Sequence, residues 1–438
     1  MIKYKNLLFF VVIASLIVQH FFTASFFGEI AKTPIVFLTP LMLIYLFTQK
    51  KILLPRISKN LIYYIIYVLA ISFIYNIYFI TNAGQIVFLG ENIFLKTLKY
   101  AIYFSVILIL VTYIYNYLEI EKNSINQLYK AVLFVSLLLL FWMIFESIFI
   151  KEHAVLFANW YHLDDIKYYR VRLLAPEESH ATTMLIIFPS LLTYLSYFLN
   201  KNRWSKLFSM AIFFGGIIYY TGFSESKGFL LVLLFSTIPL LINFLLKFQI
   251  AKHLFVIVIT CSLFSVFYVY ESMIQIINDQ LYTSITFGTR FTSIINSLKV
   301  FVLNPFGIGF GGITTTYIET LNETLNWSFV NKLNLNELRG YLATDENLST
   351  KSFFFDNLIY GGFFFLAFFY NLFFSNAQLL LKNKNIASIF LKIPFFAVLI
   401  SSVAFVTLII KYEMWFVLVA VEFFIKREHK WKSHKQQP

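Results

Sequence analysis

Apolar runs close to the thickness of a bilayer recur from one end of this chain to the other, and nothing else in the sequence limits the possible folds so strongly. A helix needs ~20 predominantly apolar residues to cross a hydrocarbon core of ~30 Å. Stretches of this kind lie at 7–27, 34–48, 61–80, 98–118, 131–150, 181–199, 207–222, 228–246, 254–270, 352–373, 387–410 and 412–426. Lipid cannot satisfy backbone N–H and C=O groups, so each stretch is read as a helix bonded within itself. The expected fold is all-α: a polytopic transmembrane helical bundle of about 12 spans, forming a single integral membrane domain over 1–438. Composition agrees, with 59% hydrophobic and only 13% charged residues, where a soluble domain carries ~25% charge.

The net charge of +13 could point to nucleic acid, but its distribution argues against such a partner. The excess sits in short segments between apolar runs and in the tail from Lys426 to Lys432. Lys50, Lys51, Arg56 and Lys59, then Lys122 and Lys130, then Lys201, Arg203 and Lys206, then Lys247 and Lys252, then Lys382 and Lys384 all fall on one side if the N-terminus is cytoplasmic. That is the positive-inside pattern, and it places both termini inside. The first run follows Lys3 and Lys5 and lacks a small-residue cleavage site, so it is expected to be an uncleaved signal anchor. Cys261 is the only cysteine, which excludes an intramolecular disulfide.

Two exterior segments are too long to be simple connections: 151–180, and a large loop at 271–351 between spans 9 and 10. Within the second, Phe291, Ile294, Ile295, Leu298 and Val302 recur at helical spacing, with Arg290, Ser293 and Ser297 on the other face. This pattern predicts an amphipathic helix lying on the outer membrane surface.

These loops also hold the candidate functional residues. Topology gives no reason to keep Arg170, Arg172, Lys227 and Arg290 outside. Cations there can receive an anion, and guanidinium matches phosphate oxygens in a bidentate fork. They can equally pair with lipid headgroups or with Asp164, Asp165, Glu177 and Glu178. Pro176-Glu177-Glu178 leads into a span, where the glutamates either cap a helix or serve as base and sugar ligand. The expected tight turn from Tyr219 to Gly228, with Ser224-Glu225-Ser226-Lys227-Gly228, suits phosphate contact or is merely a polar hairpin. Glu146, near the outer end of its span, is either a buried functional acid or a membrane-surface anchor. The glycines of Asn304-Pro305-Phe306-Gly307-Ile308-Gly309-Phe310-Gly311-Gly312 follow no strand and precede no Gly-Lys-Ser, so they are read as a tight return rather than a nucleotide loop. His153, His162, Asp164 and Asp165 match no familiar ligand spacing, and no metal is expected.

Gly288-Thr289-Arg290, then a helix, then Asn304 to Gly311 resembles the arginine-bearing helix and Asn-Pro-x-Gly-x-Gly segment of the O-antigen polymerase (Wzy) and O-antigen ligase superfamily. Asp356-Asn357-Leu358-Ile359-Tyr360-Gly361-Gly362 resembles the motif closing that family's large periplasmic loop, and Arg172 with Pro176-Glu177-Glu178 and Ser224 to Lys227 resemble two earlier stations. The likeness is scattered over Arg170 to Gly362; elsewhere only hydropathy agrees. Two positions depart from it: Asp356 stands where the ligases have His, which favours the polymerase branch, and Lys227 stands where many relatives have Arg. The resemblance implies a bacterial inner-membrane polysaccharide polymerase for O-antigen (lipopolysaccharide) or capsule. It would join undecaprenyl-pyrophosphate-linked oligosaccharide repeat units at the periplasmic face. The leaving group is already activated, so no cofactor is implied. Arg290, Asp356 and Glu177 would be catalytic. Arg172, Arg170, Lys227, Ser224, Glu178 and Asn357 would bind pyrophosphate or glycan. Membrane lipids, a chain-length regulator and a flippase would be partners.

Other readings remain. A ligase would move finished glycan to a lipid A core or a protein. A flippase or transporter would do no bond chemistry and would concentrate polar residues at mid-membrane with repeat symmetry, whereas the polar residues here gather in two exterior loops. An older-style lipid-linked glycosyltransferase would need acids in its first exterior loop, where Glu29 stands alone. A reporter enzyme that works only outside the cytoplasm should be active when joined within 271–351 and silent on the basic tail; the opposite pattern would leave no exterior site.

Overall fold

The computed structural model describes residues 2–19, 32–149, 171–175, 178–223, 227–245, 282–344, 348–382, 386–404 and 411–435. It is 81% helical, with one two-stranded hairpin among the described residues. The expected span at 254–270 lies outside them. Four of the described helices are long and apolar enough to cross a membrane: Arg56–Ala83, Ile93–Ile120, Ser124–Phe149 and Phe353–Lys382. The first has 28 residues, about 42 Å at 1.5 Å per residue. Tyr63, Ile66, Phe73, Leu95, Leu98, Phe141 and Ile148 stand exposed along these helices, as side chains turned to lipid do.

The chain packs as two compact units, one of Met1–Ile62, Tyr103–Ile238 and Tyr370–Pro438, the other of Tyr63–Ile102 and Pro239–Phe369. Among the described residues the α-helices are α1 (Ile2–Ser15), α2 (Ile35–Phe47), α3 (Arg56–Ala83), α4 (Ile93–Ile120), α5 (Ser124–Phe149), α6 (Glu178–Phe198), α7 (Arg203–Phe223) and α8 (Lys227–Leu245), followed by α9 (Ile285–Leu303), α10 (Thr316–Leu325), α11 (Asn336–Tyr341), α12 (Phe353–Phe369), α13 (Ser375–Lys382), α14 (Ile389–Ala404) and α15 (Tyr412–Lys435).

In the first unit α6 packs against α5, α7, α14 and α15. Its side chains are buried without interruption from Thr183 to Ser196. Short hydroxyl side chains join it to its neighbours: Ser190 Oγ donates to the Phe390 carbonyl at 2.7 Å, and Thr193 Oγ1 to the Ser209 carbonyl at 3.1 Å. Small polar residues of this kind let membrane helices approach closely while satisfying their own groups. The Glu422 carboxylate accepts from the Arg56 and Ile57 amides at 2.8 and 3.1 Å, placing an anion on the N-terminus of α3.

Three expectations change. The run at 7–27 is not one helix: α1 stops at Ser15, and the Gln19 amide then donates to the Leu174 carbonyl at 3.0 Å. The run at 34–48 forms a 13-residue helix with Pro40 inside, about 20 Å long and short of the ~30 Å core. Lys96, which the expected spans at 61–80 and 98–118 leave in a short exterior loop, is not a loop cation. It lies in the first turn of α4, buried, and pairs at 2.7 Å with Glu91 of the hairpin Val87–Phe88/Glu91–Asn92, which turns through Leu89 and Gly90 with positive φ.

The second unit contains the 282–344 part of the expected exterior loop, which is helical. The amphipathic helix is present as α9 and starts earlier than the pattern suggested, at Ile285, so Gly288 and Thr289 lie within it together with Arg290. Ser284 caps it, accepting from the Phe287 amide at 3.3 Å. Its polarity is inverted. Thr289, Thr292, Ser293, Asn296 and Ser297 are buried, whereas Phe291, Leu298, Val302 and Leu303 are exposed. Its polar face therefore packs on α10, α11 and α12 instead of meeting water. Asn296 joins two of these elements, donating to the Tyr317 carbonyl at 2.9 Å and accepting from Thr324 Oγ1 at 2.9 Å.

The glycine segment after α9 is the tight return expected, but protein backbone makes it tight. The Ile308 amide donates to the Ile359 carbonyl at 2.8 Å, Gly309 to Tyr360 at 3.1 Å, and Phe363 back to Pro305 at 2.9 Å. These bonds fall where α12 breaks at Gly362, with φ +53°. Gly307 and Gly309 have φ +92° and +66°, and added Cβ atoms would run into the Tyr360 carbonyl and the Ser72 backbone. Ser72 Oγ also accepts from the Phe310 amide at 2.8 Å, and the Tyr67 hydroxyl donates to the Phe306 carbonyl at 2.8 Å. Gly362→Ala would place a Cβ against the Pro305 carbonyl at a left-handed φ and is expected to destabilise by more than about 1 kcal/mol. Gly340→Ala, with open space around it on a helix, should leave stability unchanged or raised by up to about 1 kcal/mol. Thermal unfolding in detergent would separate the two.

Candidate functional site

The second unit holds three of the residues singled out by sequence on two helices that pack on each other: Arg290 on α9, and Asp356 and Asn357 at the start of α12. Asp356 is buried, and its Oδ1 accepts from the Thr350 amide at 2.8 Å. An acid at this position reaches back over the turn that opens its own helix, so part of its role is to hold 350–352 in place. Its carboxylate also lies within electrostatic reach of four phenols, those of Tyr64, Tyr317, Tyr341 and Tyr360. Asn357 is fully buried with both ends of its amide engaged: Oδ1 accepts from the Tyr64 hydroxyl at 2.7 Å, and Nδ2 donates to the Phe353 carbonyl at 2.9 Å. This bond ties α3 to α12, and the Tyr64 ring stacks on Phe368 at 4.7 Å.

Arg290 is half-buried, one residue beyond Thr289. Thr289 Oγ1 donates to Glu337 Oε2 at 2.9 Å, the Tyr341 hydroxyl donates to Glu337 Oε1 at 2.9 Å, and Lys351 Nζ lies 3.3 Å from the same oxygen. Burial alone would raise the Glu337 carboxyl; the Lys351 ammonium and the hydrogen bonds from Tyr341 and Thr289 outweigh it and hold the group below its ordinary value. Burial and the adjoining Glu337 carboxylate push the Tyr341 phenol well above its own, so it remains a donor. Asp356, buried within electrostatic reach of four phenols, can take a proton from a hydroxyl, and Arg290 on the helix packed against its own can meet an anion. Glu337, Thr350, Lys351, Tyr64, Tyr317 and Tyr341 were not singled out by sequence. The one local signal is the i, i+4 spacing of Glu337 and Tyr341.

In the first unit Arg172 lies in a short irregular segment held by Glu146, whose two oxygens accept from the Arg172 and Leu173 amides at 2.9 and 2.8 Å. Tyr220 donates to the Val171 carbonyl at 3.3 Å. Glu146 is buried rather than surface-exposed, and its carboxylate holds a backbone turn in which Leu173 has φ +56°. Glu178 opens α6 and Lys227 opens α8, so most of the expected polar hairpin around 219–228 belongs to helices. The side chains of Glu178 and Lys227, and all of Arg170, Glu177 and Ser224, lie outside the described residues, as do His153, His162, Asp164 and Asp165.

The chain matches no protein-family model, no curated protein and no solved structure.

The lowered Glu337 value has a consequence in acid. A carboxyl whose folded value lies below its unfolded one adds stability above the unfolded value, near 4.5, and loses it as pH falls through the folded value. The unfolding temperature of the native chain minus that of Glu337→Gln should therefore be positive at neutral pH and shrink as pH falls below about 4.5. A difference that stays constant down to pH 3 would remove the ionised Glu337 from the structure.

Proposed function

We propose that the chain is a membrane glycosyltransferase, a polysaccharide polymerase that joins undecaprenyl-pyrophosphate-linked repeat units at the periplasmic face of a bacterial inner membrane. In this reading it has about 12 spans, cytoplasmic termini and a large periplasmic loop at 271–351. The observation that carries the reading is the docking of the glycine segment 304–312 on the break in α12. Two separate sequence stations that resemble this family are thereby hydrogen-bonded to one another, with the arginine-bearing helix before one and Asp356 at the head of the other.

The chemistry follows from these residues. An acceptor hydroxyl oxygen forms a bond to the anomeric carbon of the donor glycan while the bond from that carbon to the pyrophosphate oxygen breaks. The hydroxyl proton passes to the Asp356 carboxylate, and the lipid pyrophosphate departs with the bonding pair. Arg290 meets the negative charge growing on the departing oxygens. A preorganised donor at such a point is worth ~10²–10³ in kcat, so Arg290→Ala should lose roughly that factor. Asp356 in place of the ligase His supports transfer to a repeat unit rather than to a lipid A core.

The test is a gel of surface polysaccharide from a deletion strain carrying each variant at normal expression, with purified protein and a synthetic lipid-linked repeat as the direct assay. Arg290→Ala and Asp356→Asn should leave single-repeat products. Full-length chains from both would end the reading. Long chains left unattached on the lipid carrier in the deletion strain itself would identify a ligase.

A further inference from the structure

Glu337 occupies a position that neither the motifs nor the chemistry above use. It sits on the short helix α11, whose approach to α9 is fixed at three points. Asn334 Nδ2 donates to the Thr283 carbonyl at 3.1 Å, Gly288 lies so close to the Asn334 carbonyl that a Cβ would not fit, and Thr289 Oγ1 reaches Glu337 Oε2 at 2.9 Å. The contacts fall at Thr283, just ahead of α9, and at Gly288 and Thr289 in its first turns, next to Arg290. The other carboxylate oxygen of Glu337 faces the opposite direction of the chain. It meets the Tyr341 hydroxyl at 2.9 Å and Lys351 Nζ at 3.3 Å, and Lys351 follows Thr350, whose amide is the donor to Asp356 at 2.8 Å. Lys351 has φ +60°, a left-handed conformation that a residue with a Cβ rarely adopts, and its ion pair is one of the contacts that keep it there.

We propose that Glu337 is a positioning residue for the transfer reaction: its two oxygens couple the turn of α9 that carries Arg290 to the loop that holds Asp356, setting the distance between anion acceptor and base. The inference rests on the reaction proposed above. Glu337 touches neither substrate nor reacting atom in this scheme and acts through Thr289 on one side and Lys351–Thr350 on the other. Catalysis is steep in such distances, since a displacement of ~1 Å caused by a remote change can cost ~10²-fold. Glu337→Gln keeps the shape and one acceptor but removes the charge that holds Lys351. Lys351→Met removes the same ion pair from outside any helix.

The experiment measures kcat and KM per folded molecule for both variants and their combination, using purified full-length protein and a synthetic lipid-linked repeat, with the folded fraction set by size exclusion and thermal unfolding. Each single variant should lower kcat about tenfold with KM changed less than about twofold, and the double variant should be no worse than either, as for residues acting in one network. A clasp that served stability alone would lower the unfolding temperature and leave kcat per folded molecule within about twofold; that result overturns the proposal. So would independent, multiplying losses in the double variant, or failure of both single variants to fold. Arg290→Ala and Asp356→Asn in the same assay separate the levels. If they lose activity while the Glu337 and Lys351 variants keep it, only the positioning role falls. If all four remain fully active, the reaction assigned to this site falls with it.

Discussion

Where α12 breaks at Gly362, its backbone loses the bond that Phe363 would have donated to Ile359, one turn back. In lipid or in a protein interior an orphaned amide and carbonyl would each be costly. The segment after α9 supplies both missing partners. Ile359 accepts from Ile308 instead, and Phe363 donates to Pro305 instead, while Tyr360 accepts from Gly309. The exchange requires backbone to lie on backbone, which is why Gly307, Gly309 and Gly362 occur where they do. Much of the second unit follows from this splice. It fixes the start of α12, and with it Asp356 and Asn357, relative to the end of α9, and it brings Ser72 and Tyr67 of α3 onto the same segment.

The first unit solves the same problem by other means. Several of its buried polar groups are short hydroxyls on helix faces that reach a carbonyl or a second hydroxyl across a close helix contact. Where an irregular turn must be held, a carboxylate does it: Glu146 takes two successive amides of 172–173, and Glu422 takes two at the head of α3. Buried acids satisfied by main-chain donors are a common answer to the cost of desolvation. Glu146 is such an acid, its two oxygens taken up by a turn 26 residues further on.

The helices of the apolar runs were legible in the sequence because each depends on local apolar content; every expected span within the described residues contains a helix, whereas the polar helices α10 and α11 were not expected. What failed was legible only through distant partners. The end of α1 at Ser15 is followed by a bond from Gln19 to Leu174, and no window around residue 15 contains it. The amphipathic pattern of α9 was read correctly as to which residues share a face, but the direction of that face depends on Asn296 meeting Tyr317 and Thr324. At the candidate site, Arg290 and Asp356 could be singled out because they sit in short recognisable motifs. Glu337 could not, since its meaning comes from Thr289, 48 positions away, and from Lys351 in a loop.

The reversed polarity of α9 carries over to how this region tolerates change. On a helix bathed in water, the outward positions accept almost any polar residue and the inward ones demand bulk. Here the outward positions, Phe291, Leu298 and Val302, should exchange freely among large apolar residues and reject charge. The inward ones, Thr292, Ser293 and Asn296, should accept only small hydrogen-bonding side chains. A fragment cut out around this helix would have to present its oily side, Phe291, Leu298, Val302 and Leu303, to solvent.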